Sequence, residues 1–66
     1  MEALERKTVR KKLIEIARVL SDEFPEIRGT FGARMSELLE ESGFDPMNRG
    51  VRGEVIYEYH HLRRGH

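Results

Sequence analysis

The chain has 66 residues, no cysteine, and 12 basic side chains balanced by 12 acidic ones. That length bounds it to one domain burying only about 60% of its unfolded surface, with no disulfide or thiolate metal site to help. The charge balance and the 38% hydrophobic content exclude the low-hydropathy, high-net-charge pattern of disorder, and no apolar run approaches the ~20 residues of a membrane helix. The N-terminal basic stretch is not followed by the apolar core of a signal peptide, so a cytoplasmic protein is expected.

Charge is segregated along the chain. Residues 1–20 carry six basic and three acidic side chains, net +3. Residues 21–45 carry two basic and seven acidic, net −5. Residues 46–66 carry four basic and two acidic, net +2, together with His60, His61 and His66. Solvated helix faces, pairing within the chain and head-to-tail association all produce such a pattern.

Leu13, Ile16, Ala17, Leu20 and Phe24, with Val9 one turn earlier, recur at spacings of three and four. They predict an amphipathic helix from Glu2 to Phe24, stopped by Pro25. Its first half holds Arg6, Lys7, Arg10, Lys11 and Lys12, the unfavourable sign for a helix N-terminus. A linker from Pro25 to Thr30 follows, with Ile27 expected to anchor it in the core and Thr30 expected to cap the next helix. Phe31, Met35, Leu38 and Leu39 predict that second helix, from Phe31 to about Ser42. Gly43 suits a left-handed C-terminal position and Phe44 its hydrophobic contact.

Asp45-Pro46 is a helix start signal. Met47, Val51, Val55, Tyr59 and Leu62 predict a third helix reaching about Arg63, against which Gly50 and Gly53 each count about 1 kcal/mol. The competing assignment is a strand over residues 54–60, since valine, isoleucine and tyrosine favour strands. The expected fold class is all-α, a three-helix domain with short loops; the alternative is α+β. The expected core is Leu13, Ile16, Leu20, Phe24, Ile27, Phe31, Met35, Leu38, Leu39, Phe44, Val51, Val55, Ile56 and Leu62.

Five constellations bear on function. The second and third helices with the Gly43 turn have the order of a helix-turn-helix. In that reading Asn48, Arg49 and Arg52 read bases, and basic residues of the first helix such as Lys7 and Lys11 contact phosphates; a net charge of zero opposes it. Gly50-Val51-Arg52-Gly53 has the pattern of a loop that lets backbone approach a phosphate, or simply of flexibility before a helix. Adjacent histidines on a helix diverge by about 100°, so His60 and His61 are a poor metal pair, and no metal is expected. Glu37, Glu40, Glu41 and Asp45 cluster without a cleft to desolvate them, and no serine or threonine has a neighbouring base. Tyr57, Ile14 and Val19 are apolar surplus beyond one small core, which points to self-association.

The sequence therefore predicts a non-enzymatic interaction or regulatory module without cofactor or small-molecule substrate. It is expected to form a homodimer and to bind protein in preference to nucleic acid, away from any membrane. The alternatives are a helix-turn-helix-like DNA-binding regulator and a structural subunit of a larger assembly.

Overall fold

The computed structural model describes residues 2–65, with side chains from Arg6 onward; His66 lies outside the described residues. It contains α1 (Glu2–Glu23), α2 (Phe31–Glu41) and α3 (Arg49–Arg64). No strand occurs among the described residues, and residues 54–60 lie inside α3. The chain is an all-α three-helix domain. The strand alternative fails on burial. A strand would put Tyr57 and Tyr59 on one face, yet Tyr57 is exposed and Tyr59 is buried. The burial follows a helical period from Val55 to Tyr59.

Leu13, Ile16, Ala17 and Leu20 form the buried stripe of α1, and Phe31, Met35, Leu39, Val55 and Tyr59 pack onto it. Phe24, Leu38, Phe44, Val51, Ile56 and Leu62 cover the edges. The expected core is reproduced except at Ile27, which is exposed. Phe24 and Phe31, flanking the linker, stack edge to face at 5.4 Å between ring centroids and close that side of the core without it.

The helix ends differ in how well local chemistry forecast them. After α1, Gly29 takes a left-handed φ of 62°, which only glycine adopts freely. Thr30 then stands at the N-cap of α2 but not in the extended conformation a capping side chain needs, and its hydroxyl makes no capping bond. At the other end Gly43 has φ 87°. Its N–H donates to Glu40 O and the Phe44 N–H to Leu39 O, the paired bonds of a Schellman motif.

The third helix begins later than Asp45-Pro46 predicts. Asp45 instead holds a turn: its Oδ1 accepts from Met47 N–H, and its carbonyl accepts from Asn48 N–H. Asn48 is the N-cap, its Oδ1 accepting from Val51 N–H at 3.0 Å. Two good capping residues stand three positions apart, and the second one starts the helix. Met47, left in the turn, is 74% exposed.

Side-chain bonds fix the helix directions. Arg34 of α2 makes a bidentate bond to Glu23 of α1 at 2.9 and 3.0 Å and also bonds Glu37. Tyr59 Oη donates to Phe24 O at 2.7 Å, and Arg63 donates to Ser21 O. The C-terminal end of α3 thus lies beside the C-terminal end of α1, while Gly50 and Val51 lie beside Arg6 and Val9. α1 and α3 run in the same direction, and α2 returns along α1 from Glu23 towards Lys12.

Two predictions follow from these ends and ties. Gly53 is exposed, inside α3, and has open space where a Cβ would stand. Gly53→Ala should stabilise the domain by about 1 kcal/mol, read as a rise of roughly 4–8 °C in thermal midpoint. Gly50→Ala should give none of this, because its Cβ would meet the capping Asn48 Oδ1 at 3.2 Å. The second concerns acid. The hydrogen bond from Arg34 holds the Glu23 carboxyl below its ordinary value; desolvation opposes this and Coulomb attraction to Arg34 adds to it. A carboxyl with a lowered folded pKa contributes stability above its unfolded pKa and loses it as pH falls through the folded value. Thermal midpoints measured below pH ~4.3 should therefore fall more steeply for the natural chain than for Glu23→Gln.

Candidate interaction surface

α1 has twice as many residues as α2. At 1.5 Å per residue it is about 33 Å long against about 16 Å. α2 engages the C-terminal part of α1, through Phe31 with Phe24 and Arg34 with Glu23. Arg6, Val9, Arg10 and Leu13, spaced for one face of the N-terminal part, line an open groove of about 650 Å³ with Gly50, Val51 and Glu54 of α3. Gly50 contributes bare backbone there. Val9 is 41% exposed although it continues the core stripe of α1.

Arg10 also borders a shallower furrow of about 300 Å³ on the outer face of α1, lined by Lys7, Lys11, Ile14, Glu15 and Arg18. Groove and furrow therefore adjoin. Val9, Leu13, Val51 and Ile14 supply apolar floor, and the cations supply the rim. The Arg10 guanidinium stands 3.6 Å from Glu58, whose side chain is only 7% exposed. A buried carboxylate without a partner is costly, so Arg10 serves the fold as well as the surface. Among the described residues no buried side-chain polar atom lacks a partner.

The residues proposed for base reading do not act together. Asn48 carries the α3 cap. Arg52 is half-buried and donates to Ser36 Oγ at 2.6 Å, Pro46 O at 2.7 Å and Gly32 O at 3.5 Å, so it ties α3 to α2 and to the preceding turn. Arg49 is exposed, as are Lys7 and Lys11 on α1. Gly50 to Gly53 form no loop: they are the first turn of α3, and the Val51 and Arg52 N–H groups bond Asn48.

Ile14, Val19 and Tyr57 are separated as well. Ile14 lies in the furrow, whereas Val19 lines a concavity with Leu38 and Glu41 between α1 and α2. Five residues apart, they diverge by about 140° around the helix. Tyr57 is 65% exposed and stacks on His61 with ring planes 11° apart. It belongs to the stripe Gly50, Glu54, Tyr57, His61, whose first two members line the groove.

Sequence reasoning gives Glu58 no role and counts Arg10 only among the cations of the first helix. The signal for Glu58 was available, since it sits three residues after Val55 and four before Leu62, on the core side of α3. The acidic cluster is exposed: Glu37 pairs with Arg34, and Asp45 holds its turn. His60 and His61 are exposed, and no group of three or more potential metal ligands occurs among the described residues.

No protein-family model matches the chain, and no curated protein or solved structure matches it. No helix among the described residues is long and apolar enough to cross a membrane.

Arg52→Met should destabilise the domain by about 1–3 kcal/mol in urea unfolding, because Pro46 O and Ser36 Oγ lose their donor. Arg49→Ala should change stability by less than about 0.5 kcal/mol.

Proposed function

We propose that this chain is a non-enzymatic interaction module that binds another macromolecule through the open surface between α1 and α3, with protein rather than nucleic acid as its partner. The observation that carries this reading is the groove beside Arg10. It joins apolar side chains that the core leaves uncovered, Val9 foremost, to a rim of exposed cations. Binding surfaces combine an apolar centre with a polar rim in this way. The commitments of Asn48 and Arg52 within the fold favour protein over DNA, since they remove two of the three side chains that would read bases.

DNA binding is the second reading, and the exposed row of Arg6, Lys7, Lys11 and Arg18 along α1 favours it. Such a row suits phosphate contacts without sequence readout. Self-association would draw on Ile14, Val19 and Tyr57, of which Ile14 lies in the furrow and Val19 in the concavity between α1 and α2.

The deciding experiment places a photo-activatable cross-linker at Val9 in the full chain, in its native cells, with Ala33 on the exposed face of α2 as the control position. A discrete, protease-sensitive adduct from position 9 and not from position 33 is expected. Adducts sensitive to nuclease, with retention on duplex DNA that weakens steeply with salt, would replace the protein reading with the DNA one. An adduct of twice the chain's own mass would mean a homodimer, checked by light scattering.

A further inference from the structure

We propose that the groove and furrow around Arg10 receive one amphipathic helix with acidic flanks, contributed by a different protein. The inference rests on the interaction-module reading and specifies its partner.

Shape is the first argument. The uncovered surface runs along α1 from Arg6 to Arg18, with α3 on one side; α2 lies on another side, where its C-terminal end faces Lys12, Glu15 and Val19. A helix laid in a groove uses anchors spaced i, i+3 or i+4, and i+7. Val9, Leu13, Ile14 and Val51 offer an apolar floor for such anchors.

Charge is the second. Groove and furrow are lined by five cations, Arg6, Lys7, Arg10, Lys11 and Arg18, and by two carboxylates, Glu15 and Glu54. With Arg10 set against Glu58, four cations still face two carboxylates. A partner with acidic flanks is complementary to that rim, and a basic one is repelled.

The same charges argue against a second copy. A two-fold dimer puts the same patch on both sides of the interface, so this one would press cation on cation. A copy that offered its acidic α2 side instead would make a head-to-tail contact, which propagates into open chains unless its rotation closes a ring.

The test is a titration of ¹⁵N-labelled full chain, followed by amide shifts. The probe is a synthetic helical peptide of about fourteen residues, roughly 21 Å long, with leucine anchors and glutamate flanks. A control peptide carries lysine at every glutamate position. Saturable shifts centred on Val9, Leu13, Ile14 and Val51 are expected with the acidic peptide, with affinity falling as salt rises. The doubly reversed variant Lys7→Glu, Lys11→Glu should bind about tenfold more weakly. Both positions are exposed, so its spectrum should otherwise be that of a folded chain.

Equal binding of the two peptides, shifts confined to the Val19 and Leu38 concavity, or no saturable shift would overturn the proposal. So would shifts that grow with chain concentration alone, which would assign the surface to a second copy, or displacement of the acidic peptide by a short DNA duplex. A protein adduct from position 9 alongside failure of the acidic peptide would leave the interaction reading intact and remove only this partner. Failure of both experiments removes both.

Discussion

The bond from Tyr59 to the carbonyl of Phe24 is the constraint around which the domain is arranged. Its ring is buried and stands edge to face with Phe31 at 5.0 Å, while its hydroxyl reaches Phe24 O at 2.7 Å. One side chain of α3 thereby holds the last turn of α1 and the first turn of α2. Tyrosine suits the place because its ring supplies apolar contact and its hydroxyl satisfies a carbonyl that the end of α1 leaves open. Arg63 on Ser21 O and Arg34 on Glu23 act at the same end. With no disulfide, a chain of this size concentrates its directional bonds where three helices meet. Towards the opposite end α1 is held by the buried Leu13, by Val51 and by the longer Arg10–Glu58 contact. The open groove is the geometric consequence of fixing three helices of unequal length at one end.

Charge follows the same polarity. At the fixed end the ionic groups bond one another, as in Glu23–Arg34–Glu37 and Glu26–Arg28. At the open end Lys7 and Lys11 are exposed along α1. The helix dipole acts on charges in the first turn. In α1 that turn carries Glu2 and Glu5, the favourable sign, and the cations begin one turn later at Arg6.

Much of the fold was legible because it depends on periodicity. The stripe Leu13, Ile16, Leu20 and the spacing Phe31, Met35, Leu39 report which face is buried whatever the loops do. Gly43 and Phe44 were legible for a related reason, since a left-handed residue followed by an apolar one has a single local use. The errors fall where one residue type has two uses. Asp45 and Asn48 are both good caps, and the choice between a turn and a helix start depends on where α3 must begin to bring Val51 and Val55 onto α1. Hydropathy alone puts Ile27 in the core, whereas the linker closes through its flanking phenylalanines. Arg52 looked like a base reader because an arginine near a helix start is common to both roles. The carbonyls of Pro46 and Gly32 that hold it come together only in the folded chain.

The candidate surface was harder to read because net charge is the wrong scale for it. A chain with 12 cations and 12 anions has no long-range field to attract a polyanion. Screening in physiological salt has a length of about 8 Å, so a docking partner responds only to the charges it nearly touches. On the outer face of α1 those are Lys7, Arg10, Lys11 and Arg18 against Glu15. The acids that balance them are spread over all three helices, and α2 with its flanking turns holds five of the twelve. Segregation along the sequence became segregation in space because α2 packs on one side of α1 while the furrow opens on another. A neutral protein thereby presents a local basic surface beside the half-exposed Val9 and the partly buried Ile14.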